Sequence, residues 1–147
     1  MTEIDELSYR RVHRAPRELV FECMTTPKHL AQFWGPSGTS SPVDGITVDL
    51  RPGGVFETRM VNDVDGSEYT MRAVYRDVAP PERLVWQEAT SGMVTTVTFN
   101  DLGDGTTEVL THQTKVPAHY RTAEAQAGHA TSFDRFDAYI AALAAAN

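Results

Sequence analysis

Hydrophobic and polar positions change their spacing twice along the chain, dividing it into an opening segment, a long middle and a closing one. Leu7-Ser8-Tyr9-Arg10-Arg11-Val12-His13-Arg14 alternates and predicts a first strand that Ala15-Pro16 ends. Leu19, Val20, Cys23 and Met24 then recur at helical spacing after Pro16, a residue suited to a first helical turn. A second short helix is expected from Pro27, with Thr26 as N-cap and Leu30, Phe33 and Trp34 on one side, until Gly35-Pro36 stops it. From residue 44 to about 114 the period becomes two. Ile46, Val48 and Leu50 predict one strand, and Arg51-Pro52-Gly53-Gly54 turns the chain into Phe56, Thr58 and Met60. Asp63-Val64-Asp65-Gly66 is a hairpin signal that leads to Tyr69, Met71, Ala73 and Tyr75. Pro80-Pro81 cannot donate to a ladder, so Ala79–Arg83 is a connection. Leu84 and Trp86 follow, then Met93, Thr95, Val97 and Phe99, and a last hairpin at Gly103-Asp104-Gly105 leads into Val109-Leu110-Thr111-His112. Six strands result in the middle and seven in all.

After Pro117 only Gly128 speaks against a helix, and the alanine content favours one. Phe133, Phe136, Ile140 and Leu143 form one stripe, which extends upstream through Gln126 and His129. About 28 residues at 1.5 Å each would span roughly 40 Å, the width of a whole sheet. The expected class is therefore α+β: an antiparallel sheet of about seven strands curved around one long C-terminal helix, with two short helices after the first strand. Such a grip leaves a cavity between sheet and helix.

Composition narrows what that cavity could serve. A chain of 147 residues and 16.3 kDa fits one domain over residues 1–147 and hides roughly 70% of its extended surface without staples. The formal net charge is −7, and no basic cluster is longer than Arg10-Arg11, which disfavours nucleic acid or an anionic membrane as partner. No run of 18 apolar residues suggests a membrane span, no leader-like segment opens the chain, and Cys23 is the single cysteine, so a cytoplasmic location is the expectation. The oligomer expected is a monomer or homodimer.

The chemistry-bearing residues are few. His13, His29, His112, His119 and His129 include no pair four apart on a helix, so no metal site and no cofactor is expected. There is no Gly-x-Ser-x-Gly elbow, and Cys23 falls on an apolar stripe. Arg51-Pro52-Gly53-Gly54 joins two strands, whereas phosphate loops open helices. The remaining lining candidates for a hydrophobic or aromatic small molecule are Phe56, Tyr69, Met71, Tyr75, Trp86, His112, His129, Phe133 and Phe136. His129 is the one candidate for proton transfer, because an imidazole titrates near neutral pH. Trp34 is expected to pack the short helices against the sheet. Glu57, Arg59 and Arg72, at the opposite parity, are expected in solvent, as are His29 and His119.

A family resemblance rests on several motifs in order. They are Ala15-Pro16, Leu19-Val20-Phe21, Thr26-Pro27-Lys28-His29-Leu30, Phe33-Trp34-Gly35-Pro36, Asp49-Leu50-Arg51-Pro52-Gly53-Gly54, Pro80-Pro81-Glu82-Arg83-Leu84-Val85 and Gly103-Asp104-Gly105-Thr106-Thr107. With these the chain resembles the activator-of-heat-shock-protein-ninety-ATPase-like family, over about residues 7 to 143. The resemblance implies the helix-grip fold of the START-like (SRPBCC) superfamily, shared with the birch-pollen-allergen-like proteins. Where that family usually has Gly-Trp near the start of the final helix, this chain has Gly128-His129, which implies a larger and more polar pocket. The superfamily implies three kinds of function. One is binding of a hydrophobic natural product, in biosynthesis or in self-resistance such as enediyne sequestration or self-sacrifice. The others are a polyketide cyclase or aromatase using His129 or a tyrosine, and a protein-binding co-chaperone domain.

Overall fold

The computed structural model describes residues 5–146. The expectation of one domain over 1–147 takes in residues 1–4 and 147, which lie outside the described residues. In chain order the elements are β1 (Leu7–His13), α1 (Arg17–Thr25), α2 (Pro27–Phe33), β2 (Thr39–Ser40), β3 (Thr47–Val48), β4 (Val55–Asn62), β5 (Glu68–Ala79), β6 (Arg83–Glu88), β7 (Val94–Gly103), β8 (Thr106–Thr114) and α3 (Ala123–Ala145). The sheet is antiparallel and eight-stranded, in the order β1-β8-β7-β6-β5-β4-β2, with β3 also paired to β4. Register shifts between Tyr75 and Asp77 and between Asp101 and Gly103 mark bulges, which bend strands and raise their twist. The sheet thereby curves around α3.

The expected seven strands become eight through two short pieces. The run Ile46-Val48-Leu50 does not form one strand: only Thr47 and Val48 pair, with Glu57 and Phe56. A 3₁₀ turn over Val43–Gly45 precedes them, and the Asp49 carbonyl accepts from Arg51 N (2.8 Å), which folds the chain away before Leu50 can pair. Gly54 allows this fold, since a Cβ there would lie 2.0 Å from the Asp49 oxygen. The other end of β4 pairs with β2 instead, through Thr39–Asn62 and Ser40–Val61.

The last helix is also shorter than expected, 23 residues or roughly 35 Å at 1.5 Å per residue. Ala118–Tyr120 forms a separate 3₁₀ turn, and Thr122 caps α3 by accepting from Ala125 N. Gly128 sits inside the helix without breaking it. Phe136 and Ile140 of the stripe are buried, while Phe133 and Leu143 are half-buried.

Candidate functional site

Alternation sends one side chain in two to the inner face of the sheet, and the inner set is read from burial. The inner face has a filled half and a hollow half. In the filled half α1 and α2 press Val20, Phe21, Cys23, Leu30 and Phe33 onto the strands, with Phe21 edge-on to Phe99 at 5.3 Å and Phe33 against Phe136 at 4.4 Å. Phe56 and Tyr75 stack here at 5.4 Å and are about 1% exposed.

The hollow half lies under the N-terminal part of α3 and has two lobes. The smaller, about 180 Å³, is walled by Tyr9 and Arg11 of β1 and by Phe133, Phe136 and Asp137 of α3. The larger, about 390 Å³, is walled by Tyr69 and Met71 of β5, Trp86 and Glu88 of β6, and Gln113 of β8. Trp34, Pro36, Met60, His129 and Ser132 belong to both walls and form the waist. Tyr69, Tyr120, Pro36 and Met60 also border an outer groove beside β4, so the pair Tyr69–Tyr120, with hydroxyls 3.4 Å apart, stands at the mouth.

The waist is held by its backbone. Gly35 has φ +97°, and a Cβ there would meet Thr39 Oγ1 at 2.7 Å and Met60 Sδ at 2.8 Å, so only glycine lets the corner pass. Arg135 of α3 donates from Nη1 to the carbonyls of Gly35 (2.8 Å) and Pro36 (3.2 Å), and Ser37 N donates to Thr131 Oγ1 (2.9 Å). Trp34 donates from Nε1 to Thr58 Oγ1 at 3.0 Å, which fixes its ring edge-on to Phe56. The rim is thus tied both to the sheet and to the helix that roofs the hollow.

Charge is distributed unevenly. In the smaller lobe Arg11 Nη1 is matched by Asp137 (2.6 Å) and Asp134 (2.9 Å), and its guanidinium stands 5.6 Å from the Phe133 ring centre. His13 Nδ1 lies 3.4 Å from Asp137 Oδ1, yet burial outweighs that carboxylate and holds its pKa below the ordinary histidine value. His129 packs against Tyr9 (ring centres 5.1 Å) and Phe133 (4.8 Å), and burial lowers its pKa, leaving a neutral imidazole near pH 7. No hydrogen bond is made by its ring nitrogens among the described residues, and ring packing against Tyr9 and Phe133 is what orients it. In the larger lobe burial raises the Glu88 carboxyl above the usual carboxylate range, with Ser91 as a partly offsetting donor. Cys23 is buried and its thiol is pushed up to about 12, mainly by burial and then by Glu22, which makes it a poor nucleophile. Among the described residues no group of three His, Cys, Asp or Glu could hold a metal ion, and no helix is long and apolar enough to cross a membrane.

Of the nine lining residues expected from sequence, Tyr69, Met71, Trp86, His129, Phe133 and Phe136 border the hollow. Phe56 and Tyr75 do not: they share the inner parity but lie in the filled half. His112 points to the opposite, outer face and meets Glu6 Oε1 at 2.8 Å, because its neighbours Thr111 and Gln113 take the inward positions. Glu57, Arg59 and Arg72 do face outward, in the pairs Arg72–Glu57 and Arg59–Glu68, whereas His29, expected in solvent, meets Tyr139 Oη at 2.6 Å. Sequence reasoning missed Met60, Glu88 and Gln113, although period two carries through Thr58, Trp86 and Thr111 to each of them. It also missed Tyr9, and placed Trp34 only as a packing residue. Trp34, expected on the face of the second helix, stands one residue beyond it, and Tyr120 closes the 3₁₀ turn, so neither belongs to a strand period.

A curved antiparallel sheet gripping a long helix, with a roofed and largely apolar hollow between them, defines a START-like helix-grip domain. The match to the model of the activator of Hsp90 ATPase homolog 1-like proteins covers residues 14–141, and the chain belongs to that family. Solved structures share the fold. Protein CV1439 from Chromobacterium violaceum is 23% identical with a TM-score of 0.83, over 92% of this chain and 96% of that one. The AHSA1-like protein from Aeromonas hydrophila is 23% identical with a TM-score of 0.82, over 94% and 93%. Protein Ms6760 from Mycobacterium smegmatis is 21% identical with a TM-score of 0.74, over 97% and 98%. A search of the curated proteins finds no match.

Proposed function

We propose that this chain binds a hydrophobic or aromatic small molecule, such as a flat natural product, in the two-lobed hollow between the sheet and α3. The observation that carries the reading is the preformed cavity itself. Its walls are mainly aromatic and methionine side chains with a few inward polar groups, the usual make-up of a small-molecule site. Binding is preferred to catalysis because His129, the one imidazole at the waist, has no hydrogen-bond partner among the described residues to tune it toward proton transfer.

Two measurements test this. Native mass spectrometry of freshly purified protein should retain a small molecule, or the empty protein should take up one equivalent of the neutral dye prodan with a saturable blue shift. His129→Trp places an indole at the waist and should weaken prodan binding by about tenfold or more, since lost cavity volume excludes the ring. An unchanged titration in that variant would remove the hollow as the site.

A further inference from the structure

The two lobes differ in their unbalanced charge, and that difference points to the chemistry of the guest. In the smaller lobe the charged wall residues Arg11 and Asp137 pair at 2.6 Å and balance one another. In the larger lobe Glu88 is the one ionisable carboxylate in the wall, and no Lys or Arg lines that lobe. Among the described residues no cation pairs with Glu88, and the Ser91 hydroxyl is the side chain that favours its charged form. Glu88 reaches the interior because it ends β6 at the same parity as Leu84 and Trp86, and its backbone N is tied to Met93 O at 2.9 Å. The polar groups of the lobe gather at this end: Gln113 and Thr95, joined at 3.4 Å, and the Tyr69 and Tyr120 hydroxyls at the mouth. The opposite end, toward Trp34, Phe133 and Phe136, is mainly aromatic and aliphatic, and its polar wall groups are the paired Arg11 and Asp137 with His13, Thr111, His129 and Ser132.

We infer that the guest is amphiphilic, an apolar ring system bearing a basic amine that Glu88 receives at the polar end of the larger lobe. The inference rests on the cavity reading above. A carboxylate held in an apolar wall without a counter-ion disfavours anionic guests by like charge, and forms its strongest hydrogen bond with a protonated amine. A neutral ring of the same size fits the walls but leaves Glu88 desolvated and without a cation. The net charge of −7 favours approach of cations over anions in the same sense.

Three naphthalene probes of matched size test the assignment: 1-naphthylmethylamine, 1-naphthalenemethanol and 1-naphthoate, titrated calorimetrically into the wild-type chain and Glu88→Gln at pH 7.5. The wild type should prefer the amine over the alcohol by about tenfold, the span of one charge-assisted hydrogen bond over a neutral one, and should bind the carboxylate weakest. Glu88→Gln should erase the amine's advantage and leave the alcohol within about threefold. Equal affinity for amine and alcohol, or an amine preference that survives Glu88→Gln, would overturn the assignment while the cavity reading stands. Absence of binding by all three would overturn both. Thermal denaturation of Glu88→Gln checks folding, and Glu88→Asp, which keeps the charge, should keep part of the preference.

Discussion

The inner face of one sheet carries two halves built from the same alternating pattern, one packed solid and one hollow. In the filled half large rings meet large rings, Phe21 on Phe99 and Phe56 on Tyr75, and the pair Phe33 on Phe136 bounds it against the smaller lobe. In the hollow half the strands present Met60, Met71, Thr95, Thr111 and Gln113 among the rings of Tyr9, Tyr69 and Trp86, beneath a helix turn that holds Gly128, His129 and Ser132, and these groups do not reach across. The comparison teaches that the cavity is a matter of which elements lie above the strands. Two helices, α1 and α2, insert most of their buried side chains over one end and reach the hollow only through Met24 and Phe33, while α3 roofs the other.

The largest effect expected belongs to the filled half. Phe99→Ala should cost about 3–5 kcal/mol of stability, the range for a fully buried phenylalanine, seen as a lower urea midpoint. Prodan affinity measured on the folded protein should stay within about twofold. A large loss of affinity there would mean that the halves are not mechanically separate.

Arg135→Met should come next. It removes the donor to the Gly35 and Pro36 carbonyls while keeping much of the side-chain volume, and should cost about 1–3 kcal/mol for stranded acceptors. Because the same corner forms the waist of the hollow, prodan binding should weaken as well. Loss of stability with unchanged binding would show that the corner is rigid without its tie to α3.

The smallest effect is a pH dependence. Burial holds His13 and His129 below the ordinary histidine pKa, so the unfolded chain protonates first as pH falls past about 6.5. Stability should therefore fall as pH drops from 7.5 toward the folded values of these histidines. Glu88 acts in the opposite sense, because its raised pKa means the folded state takes up that proton earlier. Comparing urea midpoints at pH 7.5 and 5.5 for the wild type and His13→Asn cancels the Glu88 contribution, and the variant should show the shallower fall. Equal slopes would mean that Asp137, 3.4 Å from His13, offsets the desolvation fully.

Legibility from sequence followed the same division. Alternation identified the long strands and the hairpins at Asp63–Gly66 and Gly103–Gly105, because period two is a property of each strand alone. It failed at Ile46–Leu50, where three alternating apolar residues met a tight turn whose hydrogen bond competes with pairing. It failed again at His112, the neighbour rather than a member of the inward set Val109, Thr111 and Gln113. The final helix was legible in kind, but its start was misplaced by a 3₁₀ turn and a threonine cap that composition does not distinguish from helix.

What the amino-acid order determines by itself is local: the periods, the breakers, the acidic balance and the apolar stripe of α3. Whether an inward ring such as Tyr75 fills the core, or one such as Trp86 faces a void, is not a property of its strand. That was decided only in tertiary structure, by α1 and α2 covering one end of the sheet and by Arg135 drawing the Trp34–Pro36 corner against α3. The physical reason is that parity fixes a direction, whereas occupancy depends on what packs opposite, and residues far apart in sequence supply it.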